Sequence, residues 1–202
     1  IEMDGTGGIE DVQGHLAVVN RLVTRGNNNL WLEDLRTHRS MLLTPHQGRA
    51  QSTGLFGQDT NTVYIAHNIG RDRMGLARVD ISADGRTFKR TELAERDDAE
   101  LETFILNDAK TQALLKWNVA GRNELELLDL ASNTRRRLPD APNELVGSVD
   151  FSPDGTRMAF VRAARMHPSE RFRHEDLFHQ QPRWRLRGPD RGRGRLHGQT
   201  AL

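Results

Sequence analysis

The chain has 202 residues, 36% of them hydrophobic and 5% aromatic, with a formal net charge of +1. An apolar share below the usual value of about 45–50% suits many short strands and polar turns better than a thick α/β core. No apolar run approaches the roughly 18 residues that a membrane helix requires, and the absence of cysteine excludes disulfides and thiolate metal sites.

The chain opens Ile1-Glu2-Met3-Asp4-Gly5, with neither a start methionine nor a basic-then-apolar leader, so it is expected to begin inside a longer gene product. Alternating apolar residues broken by Gly, Asn, Asp or Pro then lay out strands. In the first unit the opening strand is expected within Met3 to Ile9. His15 to Asn20 and Leu30 to Leu35 follow about a Gly26-Asn27-Asn28-Asn29 turn, and Ser40 to Thr44 closes the unit. The second unit runs Gln51 to Phe56, Thr62 to Ala66, Gly75 to Ile81 and Phe88 to Leu93. The third runs Glu100 to Leu106, Gln112 to Asn118, Asn123 to Leu130 and Thr134 to Leu138. A fourth starts with Val146 to Phe151, the turn Ser152-Pro153-Asp154-Gly155 and Arg157 to Arg162, and after Ala164 the strand pattern stops.

These units repeat one another. Leu30-Trp31-Leu32-Glu33-Asp34-Leu35 returns as Leu76-Ala77-Arg78-Val79-Asp80-Ile81 and as Leu125-Glu126-Leu127-Leu128-Asp129-Leu130, with the aspartates 46 and 49 residues apart. Self-similarity at about 40–50 residues, with four short strands per unit, is the mark of a radial β-propeller. In the third strand, Leu125 and Leu127 alternate with Leu128 and Leu130, as a sheet covered on both faces requires. The expected fold is therefore all-β: a partial propeller over residues 1–164, with blades at about 1–46, 47–94 and 95–140 and an incomplete one at 141–164. An Arg/Gly/His-rich tail, disordered or irregular, follows at 165–202. With about three and a half blades legible, the chain reads as a fragment.

Phe151-Ser152-Pro153-Asp154-Gly155-Thr156-Arg157-Met158-Ala159-Phe160-Val161 resembles the Ser-Pro-Asp-Gly hairpin shared by TolB-like propellers and by the N-terminal propeller of the prolyl oligopeptidase family of serine peptidases. Val63-Tyr64-Ile65-Ala66-His67-Asn68-Ile69-Gly70-Arg71-Asp72-Arg73-Met74-Gly75-Leu76 is more similar to the peptidase propellers. The resemblance covers about residues 9–164. It implies a propeller that caps a C-terminal α/β-hydrolase domain and limits access to a Ser-Asp-His triad. No serine here stands in a Gly-x-Ser-x-Gly elbow, the turn that exposes such a nucleophile, so no catalytic residue is carried over.

Arg71-Asp72-Arg73, in a turn between two strands, is expected to project from one rim and is the candidate contact for a peptide substrate or protein partner, since arginine pairs with carboxylates through two hydrogen bonds. Asp34, Asp80 and Asp129 stand at strand ends without an oxygen-rich calcium loop, and are expected to bond the backbone N–H groups of the following turn. His15, His38, His46 and His67 lack metal-ligand spacing, so no metal and no cofactor is expected. Glu95 to Glu100 reads as a solvated linker, and Trp31 and Trp117 as packing residues.

From Arg165 onward nine arginines oppose Glu170, Glu175, Asp176 and Asp190, about +5, which leaves the preceding part at about −4. The runs Arg183-Trp184-Arg185-Leu186-Arg187 and Arg191-Gly192-Arg193-Gly194-Arg195 have the composition of nucleic-acid-binding segments. With only Lys89, Lys110 and Lys116 in the chain, a shifted reading frame in a GC-rich gene accounts for the tail better. The leading expectation is a non-catalytic propeller that gates a hydrolase domain of the same gene product. The alternative is a TolB-like scaffold for protein partners, and nucleic-acid binding through the tail is the weakest of the three readings.

Overall fold

The structure, a computed structural model, describes residues 6–138 and 145–163. Among these, fourteen strands form four antiparallel sheets, each a simple meander in chain order. Blade 1 comprises β1 (Gly7–Gln13), β2 (Leu16–Thr24), β3 (Asn27–Asp34) and β4 (Ser40–Leu42). Blade 2 comprises β5 (Ser52–Phe56), β6 (Thr62–His67), β7 (Gly75–Ile81) and β8 (Phe88–Ala94). Blade 3 comprises β9 (Glu100–Leu106), β10 (Gln112–Val119), β11 (Arg122–Asp129) and β12 (Thr134–Arg137), and the fourth sheet pairs β13 (Leu145–Phe151) with β14 (Met158–Ala163). This is the all-β partial propeller that the repeat implies.

The core lies between blades. Because successive side chains of a strand point to opposite faces, each middle strand supplies two interfaces. Val63 and Ile65 of β6 join Val18, Leu30 and Leu32 of blade 1, while Tyr64 and Ala66 of the same strand join Leu115, Trp117 and Leu128 of blade 3. In β11, Leu128 faces blade 2, whereas Leu125 and Leu127 pack on Phe151 and Met158 of the fourth sheet. The four-leucine pattern of the third strand thus has the two-sided role expected of it.

A hydrogen-bonded clasp recurs at each interface. The Asn28 side chain, near the start of β3, accepts from Ser52 N–H and donates to Ser52 C=O, both at 2.7 Å, which holds the first strand of blade 2. Asn123, at the same place in β11, accepts from Val146 N–H at 2.8 Å. In blade 2 the matching residue is Met74, and there the backbone carbonyl itself accepts from Leu101 N–H at 3.1 Å. Both asparagines are buried, where an unmet amide would be costly.

The boundaries of β3 and β1 differ from expectation, the first because of this clasp and the second because of strand pairing. Asn27, Asn28 and Asn29 belong to β3, and only Arg25-Gly26 turns, with Gly26 at φ 79°. Residues with turn chemistry are spent on the inter-blade clasp. The opening strand β1 lies later than Met3 to Ile9, because it pairs with β2 from Gly7↔Arg21 to Gln13↔Leu16. The segment 165–202, including the arginine-rich runs, lies outside the described residues.

The Ser152 hairpin is a closed hydrogen-bond system. Gly155 N–H donates to Ser152 C=O (2.7 Å), Ser152 Oγ donates to Asp154 (2.5 Å), and Asp154 accepts from Thr156 N–H (3.0 Å). Ser82-Ala83-Asp84-Gly85-Arg86-Thr87 repeats the pattern between β7 and β8, with Ser82 donating to Asp84 at 2.6 Å and Gly85 to Ser82 C=O at 2.8 Å. Gly155 and Gly85 share φ 65°, a left-handed conformation that glycine adopts without a Cβ penalty.

Candidate functional site

The meander gives each blade two ends. One rim carries the first-to-second and third-to-fourth hairpins, and the opposite rim carries the second-to-third turns and the inter-blade linkers.

Arg71, Asp72 and Arg73 lie on the linker rim, in the turn between β6 and β7. Asp72 and Arg73 are exposed. Arg71 folds back: its guanidinium donates to His67 C=O (3.1 Å) and pairs with Glu92 (3.7 Å) and with Glu95. Gly75 makes room for this, since a Cβ there would lie 2.3 Å from the Arg71 guanidinium and 2.7 Å from Ala94 C=O. Glu92 also pairs with Arg90 (3.2 Å) and with Nε2 of the buried His67 (3.1 Å). His67 Nδ1 accepts from Ile69 N–H (3.1 Å), so Nε2 carries the proton given to Glu92. Burial works to raise the Glu92 carboxyl, but the hydrogen bond from His67 and the charges of Arg71 and Arg90 bring it below its ordinary value. Arg71 is thus engaged within its own blade, and the open part of the triplet is Asp72 and Arg73.

The Glu95 to Glu100 linker is anchored more firmly than a solvated run. Arg96 grips Asp98 through two nitrogens (3.0 and 2.8 Å), pairs with Glu124 (2.8 Å), and stacks over Trp117 at 5.6 Å. The fully buried Trp117 donates its indole N–H to Glu126 (3.0 Å). Ala99 is also buried. Trp31 packs under Arg21 at 4.8 Å, with that guanidinium also on Glu33. Both tryptophans therefore serve as cation platforms as well as packing residues.

The recurring aspartates divide. Asp34 accepts from Arg36 N–H (2.9 Å) and Thr37 N–H (3.1 Å), and Asp129 from Ala131 N–H (3.1 Å) and Ser132 N–H (2.8 Å), as expected for turn carboxylates. Asp80 instead pairs with Arg78 at 3.0 Å, because the next turn already has its own carboxylate in Asp84. The Thr37 hydrogen bond leads the influences that bring Asp34 down to about 2.

On the hairpin rim, polar groups from three blades meet. Gln13 of β1 donates to Gln58 C=O (3.1 Å), Gln58 donates to Ala109 C=O (3.0 Å), and the Lys110 ammonium donates back to Gln13 (2.8 Å). Lys110 stands at φ 50°, in the hairpin position that Gly155 and Gly85 fill elsewhere. Sequence reading missed this residue, whose signal was a lysine where the repeat places glycine. Between the hairpins of blades 1 and 2 opens a cleft of about 860 Å³. Leu16, Leu32, Met41 and Ile81 form its apolar side, and His15, Arg36, Arg39 and Arg86 stand at its polar side. This too was not singled out, since its residues come from four separate turns.

No family model and no curated protein matches the sequence. Among solved structures, the chain is similar to prolyl oligopeptidase B from Galerina marginata, at 15% identity and a TM-score of 0.60 over 74% of this chain and 21% of that one. It is similar to TolB from Acinetobacter baumannii at 17% identity and a TM-score of 0.59, over 81% of this chain and 39% of that one. It is also similar to oligogalacturonate lyase from Vibrio parahaemolyticus, at 14% identity and a TM-score of 0.56, over 74% of this chain and 43% of that one. The chain thus has the β-propeller fold found in prolyl oligopeptidases and TolB, and spans about a fifth of the length of the first.

Proposed function

We propose that this chain is propeller from a prolyl-oligopeptidase-like serine peptidase, where it screens peptides on their way to an α/β-hydrolase domain and performs no chemistry itself. The supporting observation is the match of its blades to prolyl oligopeptidase B over 74% of the chain, taken with the peptidase-like segment from Val63 to Leu76 and the lack of a Gly-x-Ser-x-Gly elbow. Fold likeness alone hosts many functions, so the test must reach the chemistry. Sequencing the transcript across both ends of this coding region is expected to find a hydrolase domain in the same frame. The product that carries both parts should cleave short peptides and spare folded proteins, and loss of the propeller should abolish that discrimination. A transcript without a hydrolase domain rejects the reading and favours a partner-binding propeller, to which the TolB match over 81% of the chain corresponds.

A further inference from the structure

The cleft between blades 1 and 2 combines two kinds of surface. One side is aliphatic: Leu32 and Ile81 are buried core residues whose edges reach the cleft, beside the half-buried Leu16 and Met41. The other side carries Arg36 and Arg39 from the β3–β4 hairpin and Arg86 from the β7–β8 hairpin. Elsewhere Arg21, Arg71, Arg78, Arg90 and Arg96 each hold a carboxylate. Among the described residues, Arg36, Arg39 and Arg86 form no ion pair. The two carboxylates of the cleft form no ion pair with these arginines: Asp34 accepts from Arg36 N–H and Thr37 N–H and lies 3.9 Å from His15, and Asp84 accepts from Ser82 Oγ and Arg86 N–H, so three guanidinium groups against two carboxylates leave the cleft one net positive charge.

We propose that this cleft binds a short acidic peptide, with aspartate or glutamate carboxylates on the three guanidinium groups and an aliphatic side chain against Leu16, Leu32, Met41 and Ile81. Its volume, about 860 Å³, is that of a small-ligand site. Guanidinium groups free of internal partners offer carboxylates paired hydrogen bonds. The aliphatic side gives an apolar side chain a place that a sugar acid does not need. No Trp, Tyr or Phe lines the cleft, so the stacking platforms on which single-stranded nucleic acids depend are missing from it. The site does not rest on the peptidase reading, since it lies within one pair of blades.

The test is fluorescence anisotropy of a labelled Glu-Leu-Glu-Leu-Glu peptide on the whole chain at low ionic strength, with Gln-Leu-Gln-Leu-Gln and an oligogalacturonate of matched charge as comparison probes. Binding is expected for the acidic peptide alone, weakened by salt because exposed charges are screened. Arg36→Gln, Arg39→Gln and Arg86→Gln together should reduce it at least tenfold. Arg25→Gln, Arg49→Gln and Arg122→Gln, three exposed arginines outside the cleft, change net charge equally and should leave it unaltered. All six positions are exposed, and an unchanged melting temperature verifies that each triple variant is folded. No binding of the acidic peptide overturns the proposal. So does equal loss in both triple variants, or binding of the oligogalacturonate as tight as that of the peptide.

Discussion

Gly75 shows how one residue fixes a rim. Its missing Cβ lets the Arg71 guanidinium lie against the backbone, where it meets Glu92 and Glu95. Gly75→Ala must displace both that guanidinium and Ala94 C=O, and is expected to cost about 1–3 kcal/mol, read as a lower urea midpoint. The aspartates make a second prediction. Asp34 and Asp154 are lowered from 3.8 to about 2, chiefly by hydrogen bonds from Thr37 and Ser152, and Asp84, Asp98 and Asp129 are lowered as well. A carboxyl with a depressed folded pKa releases its proton more readily in the folded chain. It therefore stabilises the fold above its unfolded pKa, and that contribution is lost as pH falls through the folded value. The urea midpoint should be insensitive to these groups above about pH 5 and should drop from about pH 4 to pH 2. Asp34→Asn with Asp154→Asn should flatten that drop, and an unchanged pH profile would contradict the assignment.

At the scale of the element, the clasp decides how blades join. Asn28 and Asn123 each replace a missing strand neighbour for the first strand of the next blade. Asn28→Ala leaves Ser52 N–H and C=O without these bonds, and should cost about 1–3 kcal/mol; Asn28→Asp keeps the acceptor but sets a buried carboxylate against Ser52 C=O, and should cost at least as much. Amide exchange at Ser52 is the specific readout, because it should accelerate in Asn28→Ala more than exchange within β6. The position was hidden in the sequence by its context: Gly26-Asn27-Asn28-Asn29 has turn chemistry, and only the partner strand, 24 residues on, gives Asn28 its role. The Ser152-Pro153-Asp154-Gly155 hairpin was legible by contrast, since all of its bonds lie within six residues. Arg71 shows the same limit as Asn28. Its turn was readable, but its direction depends on Glu92 and Glu95, which arrive on a strand and linker about one hairpin later.

For the whole molecule, the consequence of radial packing is that each blade needs a neighbour on both faces. Blades 2 and 3 have them. Blade 1 leaves Ile9 (56%), Val12 (50%) and Val23 (56%) exposed, apolar surface of the kind that marks association sites. The chain by itself is expected to self-associate as its concentration rises, seen as a growing mass by light scattering. Ile9→Lys with Val12→Lys should shift it toward monomer, and a wild-type chain that stays monomeric at every concentration would contradict this.

Period, strand alternation and hairpin chemistry are local or strictly repetitive, so the sequence by itself determined the four-stranded units, their order and the two-sided burial of β11. Tertiary structure decided which polar residues face one another: Asn28 on Ser52, Arg71 on Glu92, Arg96 on Trp117, Lys110 on Gln13. It also decided that Arg36, Arg39 and Arg86 share one cleft. Such pairings depend on the angle between sheets, which is set by the volumes packed between them and leaves no periodic trace along the chain.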